Sequence, residues 1–264
     1  MGMDFTKCWA SAFPALGDGF RSALSGTAAF FADQRMFLDR LVYLEETFFT
    51  FSFSPIRDET GQVAGLFHSV SETTANMLAQ RHTRALRDVA ACADHAGSLE
   101  QSLASVVQTL AQCDLDLPFV LFYRLDAQGR SAQLAGATGL AAGDSACPAL
   151  VDLTQTTAGW PLAEVARSGK PAYLDDLAQR FPGMICGPYP EPIQSGFVMP
   201  IGFAATAQPL CLMVIGASVR LSMNEAYRSF FDLLAAAAST VFSNAVAHEA
   251  QRERSEMNSA RRSH

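Results

Sequence analysis

Residues 44–74 read LEETFFTFSFSPIRDETGQVAGLFHSVSETT, and this segment narrows the fold more than any other. Phe49, Phe51 and Phe53 alternate with Thr50, Ser52 and Ser54. Successive strand side chains point to opposite faces, so the alternation marks a half-buried β-strand. Asp58-Glu59-Thr60-Gly61 is a turn. A second strand follows over 63–70. Ser71, Thr73 or Thr74 then supplies a cap for a long polar helix. The segment is a hairpin that runs straight into a helix.

The flanking sequence extends this pattern. Residues 4–40 read as mostly helical, in two stretches, TKCWASAFPALGDGFRSAL and AAFFADQRMFLDR. The helix after the hairpin spans 72–93. Its Ala75, Leu78, His82, Ala85, Val89 and Cys92 recur at 3, 4, 3, 4, 3, an a/d seam. Such a seam suits a helix that pairs with a partner, and equally one laid on its own domain. Gly97 and Ser98 break that helix and cap the next, over 99–113. PFVLFYRL at 118–125 is a strand, Asp126-Ala127-Gln128-Gly129 a turn and 131–137 the return strand. A Gly-, Ala- and Pro-rich loop fills 139–148. Pro161 opens a short helix that Gly169 closes. A short strand at 171–174, a proline-rich loop at 181–192 and two strongly apolar strands at 195–203 and 210–219 follow. The last helix spans 223–254, with Phe231, Leu234, Ala238, Val241, Ala245 and His248 as a second seam. The element order predicts an α+β fold in which helices back an antiparallel sheet and long loops cover one face.

The bulk numbers exclude several classes. Of 264 residues, 49% are hydrophobic and 17% charged, enough for a sizeable core. A net charge of −7 argues against a nucleic-acid partner. Lysine and arginine gather mainly at 81–87 and 252–262, on helices, where solvated faces are expected. The N-terminus lacks the basic start and unbroken apolar run of a signal peptide. The longest apolar runs, 210–219 and 233–238, fall short of the about 20 residues that span a bilayer. A cytoplasmic protein with no membrane partner is the expectation. The six cysteines form no C-x-x-C and no zinc spacing, so reduced structural thiols and no metal site are expected.

On the blocks DLPFVLFYRLDAQGRSAQLAGATGL, WPLAEVARSGKPAYLDDL and SGFVMPIGFAATAQPLCLMVIGAS, with the closing helix, residues 97–246 resemble a GAF domain. Residues 45–74 resemble the C-terminal part of a PAS domain. The pair is similar to the PAS–GAF input region of bacterial sensor histidine kinases. This resemblance implies a partial PAS domain at 1–72, a signalling helix at 73–96, a GAF domain at 97–246 and a helical tail at 247–264. On this resemblance the chain is expected to carry no kinase output domain, and its PAS part to be a fragment without the first two strands. The strand FFTFSFS is therefore expected to lack a sheet partner, which is a hazard for aggregation or swapping.

The resemblance implies a sensory or regulatory function, with a small molecule or partner held in the GAF domain. Transmission would run through a homodimer to a downstream kinase or regulator. The dimer seam would use Leu78, His82, Ala85, Val89, Phe231, Leu234 and Val241. Candidate lining residues under the GAF loops are Phe122, Tyr123, Trp160, Phe181, Tyr189 and Met199, since such pockets favour aromatics. The ligand is not identified. A bilin is disfavoured because no Cys–His pair is present, and the cyclic-nucleotide GAF signature is missing. No G-x-S-x-G, P-loop or G-x-G-x-x-G occurs, and none of the five histidines, among them His68, His95, His248 and His264, sits in a loop beside a nucleophile. A non-enzymatic role is expected. The enzymatic rival is a GAF-fold free methionine sulfoxide reductase using Cys147 and Cys186, both in predicted loops. That chemistry needs a thiolate of lowered pKa.

Overall fold

The computed structural model describes residues 5–39, 43–95, 97–155, 159–203 and 208–262. The side chain of Cys8 and residue His264 lie outside what is described. The chain divides into two compact units, Met1–His82 and Thr83–His264.

The first unit holds helices α1 (Phe5–Cys8) and α2 (Phe13–Leu24) and strands β1 (Ala29–Leu38), β2 (Glu45–Arg57) and β3 (Val63–Glu72). The strands form one antiparallel sheet in the order β1-β2-β3. The alternating phenylalanines of β2 are the core: Phe49, Phe51 and Phe53 are buried with Leu16, Ala23 and Met36. Phe20 of α2 meets Phe53 edge-on at 5.9 Å. At the β2–β3 turn the Asp58 carboxylate accepts from the amides of Thr60 and Gln62 at 2.8 and 3.0 Å, and Gly61 takes φ +84°.

Two expectations are overturned in this unit. AAFFADQRMFL is not helical but forms β1, and β2 is therefore a central strand paired on both sides. A bulge between Phe31 and Gln34, with Asp33 at φ +48°, shifts the register. Phe31 stacks on Phe51 at 4.9 Å, while beyond the bulge Met36 turns inward. The inward positions change parity along the strand, which hides its period-2 signature.

Helix α3 (Thr74–Ala91) follows β3 directly, and the division between the units falls inside it. The Thr74 hydroxyl accepts from the Phe48 amide at 2.9 Å. Glu46 on β2 is fully buried, and its carboxylate takes Arg35 Nε at 3.1 Å and Arg81 Nη2 at 2.8 Å. Arg81, expected on a solvated helix face, is thus the counter-ion of a buried glutamate.

In the second unit, a 3₁₀ turn (Cys92–His95) leads to α4 (Leu99–Leu110). Ser98 caps α4 by accepting from the Gln101 amide at 3.2 Å. Then come β4 (Val120–Leu125), β5 (Ser131–Thr138), β6 (Leu150–Asp152), α5 (Leu162–Ser168), β7 (Ala172–Leu174), α6 (Leu177–Arg180), β8 (Gly196–Phe203), β9 (Pro209–Gly216) and α7 (Glu225–Arg262). The six strands run antiparallel in the order β6-β5-β4-β9-β8-β7. Gly169 closes α5 in the left-handed conformation, φ +63°. Helix α7 packs on β8 and on α4, and α4 on β5; α5 packs on β8 and β9. The architecture is α+β, with helices on an antiparallel sheet.

By length and composition, Glu225–Asn258 of α7 is apolar enough to cross a membrane, with mean hydropathy 1.4 over its most apolar window. Of that window, 44% is buried inside the protein itself. A helix that supplies half a core is apolar for that reason alone.

Candidate functional site

The second sheet buries both faces, and the alternation of its strands sorts the expected lining residues. Phe119, Leu121 and Tyr123 belong to one apolar cluster with Val198, Leu212 and Val214. The loops and short helices between β5 and β8 complete it with Cys147, Trp160, Leu162, Val165, Phe181, Met184, Cys186 and Ile193. Phe122 points the other way and meets Phe242 of α7 at 5.5 Å. Phe197 likewise meets Phe231 of α7 at 4.9 Å. Met199, two residues on, shares the face of Phe197 and not that of Val198. Of the six expected residues, the structure therefore gathers Tyr123, Trp160 and Phe181, and separates Phe122, Met199 and Tyr189. Phe122 and Met199 back the helix because adjacent strand positions cannot face the same side.

The polar atoms of this cluster are held by the loops. The Tyr123 hydroxyl donates to Pro148 O at 3.0 Å, and the Trp160 indole donates to Ala146 O at 2.7 Å. Burial, reinforced by Cys147, holds the Tyr123 phenol well above its ordinary value. The Trp160 ring lies 4.8 Å from Phe181 and 5.8 Å from Phe119. Beside Trp160 opens a cleft of about 280 Å³ lined by Ser145, Pro148, Leu150, Asp152, Trp160 and Leu162. The Asp152 carboxylate there is engaged by Thr154 and Gln155, and the Thr154 hydroxyl holds its pKa below the usual value. The cleft offers an indole edge and aliphatic walls next to a hydrogen-bonded carboxylate. That suits a small, largely apolar molecule. The sequence singles out Trp160, but 139–148 reads as loop and nothing in it marks Leu150–Asp152 as the strand β6.

Cys147 and Cys186 are free thiols, 0% and 7% exposed, in the same cluster. Burial, then Asp144, pushes the Cys147 thiol up, and burial pushes Cys186 up to about 12. Both shifts run opposite to an activated nucleophile. Among the described residues no group of three or more His, Cys, Asp or Glu is placed to hold a metal ion.

Tyr189 lies on the 181–193 loop, its ring 4.9 Å from the Arg220 guanidinium. Arg220 in turn donates from Nη2 to Glu191 Oε1 at 2.6 Å. Sequence reasoning missed Arg220 and Glu191, because neither sits in a motif.

The seam residues are turned inward. Phe231, Leu234 and Val241 are at most 1% exposed, on a helix packed against β8 and α4. Ala85 and Val89 are buried, His82 is 9% exposed and Leu78 half-buried. Among the described residues Ala85, Val89, Phe231, Leu234 and Val241 are buried within the chain and not presented to a partner helix; the α7 residues exposed instead include Leu233 and Met257. His248 is exposed.

A family model described as the GAF domain matches residues 96–243, more than half of the chain. Among solved structures, the GAF domain of an Acinetobacter phosphoenolpyruvate-protein phosphotransferase is similar at 20% identity and TM-score 0.43, covering 65% of this chain and 96% of that one. The corresponding domain from Coxiella burnetii is similar at 20% identity and TM-score 0.46, covering 65% and 98%. A free methionine-R-sulfoxide reductase from Neisseria meningitidis, solved with its substrate, is similar at 17% identity and TM-score 0.45, covering 62% and 89%. No curated protein matches this sequence.

Proposed function

The chain belongs to the GAF domain family, and on that footing we propose that it is a sensory or regulatory module of bacterial signal transduction. A small molecule, or a partner surface, engages the loop face beside Trp160. The response leaves through α7. The carrying observation is the shape of that helix. Its first half is core, with Phe231, Leu234 and Val241 buried, and Gln251–Asn258 toward its end are exposed. A change in the loops that re-seats the buried half displaces the exposed half as a rigid element.

In this reading the first unit is the C-terminal part of a PAS domain, and α3 carries its state onward. The protein acts in the cytoplasm as a homodimer upstream of a kinase or regulator, and it does not catalyse a reaction. The raised thiol pKa values of Cys147 and Cys186 support the last point. Native mass spectrometry of the purified chain, followed by a thermal-shift screen of small metabolites, tests the proposal. A dimer that carries a bound mass, or is stabilised by a ligand, supports it. A bare monomer that no compound stabilises, with Trp160→Ala behaving the same, removes it.

A further inference from the structure

The 181–193 loop does two things at once. Phe181, Met184, Cys186 and Ile193 drop into the apolar cluster over the sheet. Between them, Tyr189 and Glu191 reach across to Arg220. Arg220 lies on the short segment joining β9 to α7, with only 8% of its side chain exposed, whereas Glu191 is 45% exposed. A guanidinium cannot shed its charge, and taking it out of water is costly unless a counter-ion and hydrogen bonds remain in place. Two such partners come from the loop: the carboxylate of Glu191 at 2.6 Å and the ring face of Tyr189 at 4.9 Å.

The same segment seats the first turn of α7. The Ser218 amide donates to the Tyr227 hydroxyl at 2.9 Å, and that hydroxyl donates to the carbonyl of Asp116. The Arg220 amide donates to Ser218 Oγ at 3.4 Å. Arg228, one residue after Tyr227, lies over the Tyr173 ring at 4.6 Å. The base of the helix is thus held at several points, and the Arg220 segment connects one of them to the loop.

We propose that Arg220 is a clasp that makes the position of the 181–193 loop and the seating of the first turn of α7 one equilibrium. When the loop lifts, the guanidinium loses the Glu191 carboxylate and the Tyr189 ring, and the seat of the segment that carries Ser218 and the Tyr227 anchor is weakened with it. When the loop is down, the anchor is set. The clasp deepens the sensory reading above, which it needs only for what moves the loop; the linkage exists without any ligand.

Hydrogen exchange on the full chain, with no ligand added, tests this. Glu191→Gln and Tyr189→Leu change only the loop. The expected result is exchange faster by at least about threefold across 217–228, with 103–110 of α4 and 120–125 of β4 unchanged. Arg220→Lys keeps the charge but loses the fork and the stacking surface, and gives a smaller acceleration in the same window. Unchanged rates at 217–228 in Glu191→Gln overturn the clasp, as does an equal acceleration throughout the unit, which would mean a general loss of stability. A clasp seen in the exchange data with no ligand found leaves this inference standing and removes only the sensory reading.

Discussion

The indole of Trp160 donates to the carbonyl of Ala146 at 2.7 Å and so ties the residue ahead of α5 to the loop ahead of β6. Trp160 is 4% exposed, so that carbonyl has little access to water once the donor is gone. Trp160→Phe keeps most of the ring and should cost about 1–3 kcal/mol for the stranded acceptor. Trp160→Ala adds a cavity and should cost about 3–5 kcal/mol. Urea unfolding followed by circular dichroism separates the two. No loss in Trp160→Phe would show that the hydrogen bond contributes nothing.

Glu46 is the fully buried anion of the first unit, with Arg35 and Arg81 as partners. Glu46→Gln leaves two guanidinium groups around a neutral amide. Their side chains remain 40% and 24% exposed and can partly rehydrate, so the loss should be about 2 kcal/mol, below that of a fully buried pair. Hydrogen exchange should quicken in β2 and in residues 74–82 of α3, while β4 and β9 stay as protected as before. Unaltered exchange at 74–82 would show that the ion pairs do not hold the helix to the sheet.

Burial holds the Cys186 and Cys211 thiols at about 12, against an ordinary value of 9.0. Below pH 9 both folded and unfolded chains keep these protons, and the stabilisation is fully present. Between about pH 9 and 12 the unfolded chain loses them first, so stability falls as pH rises, by up to about 1.4 kcal/mol per thiol per pH unit. Melting temperatures at pH 8, 9.5 and 10.5 should therefore decline, and more gently in the double variant Cys186→Ala/Cys211→Ala. Parallel declines in the two proteins would show that the thiols are not the cause. At pH 8 in the native state, a thiol-alkylating reagent should leave Cys147, Cys186 and Cys211 untouched.

Gly139 sits at φ +74°, and a Cβ there would lie 2.0 Å from the carbonyl oxygen of Pro118. Gly139→Ala therefore faces both a left-handed backbone and a collision with main chain, which cannot move aside like a flexible side chain. A loss of about 3 kcal/mol is expected by calorimetry. Gly143, also left-handed at φ +97° but with open space around it, should lose less, about 1 kcal/mol, when changed to alanine.

Much of the second unit was legible because its signals were local. Ser98 caps α4, Gly169 closes α5 and the apolar runs became β8 and β9. What failed depended on partners distant in sequence. The bulge at Asp33 that disguised β1 exists only in register with β2, and no periodicity of β1 alone reveals it. Choosing both Phe122 and Tyr123 as pocket lining ignored what alternation already said, since neighbours on a strand face opposite sides. Tyr189 was noticed for its ring, yet its role depends on Arg220, 31 positions on. The seams at 3, 4 spacing were real as apolar stripes, but a stripe cannot tell whether it meets its own sheet or another chain.

The kinked β1 also bears on how this protein behaves when concentrated. As the outer strand on one side of its sheet, β1 presents an interrupted row of amides and carbonyls, broken at Asp33, which an incoming strand cannot follow. The outer strand on the other side, β3, pairs in unbroken register from Gly65 to Glu72, carries no proline and no carboxylate before Glu72, and exposes Phe67 and Val70. Fibril seeding and loss of colloidal stability should therefore begin at β3, and a single lysine placed at Phe67 is where a formulation chemist would start.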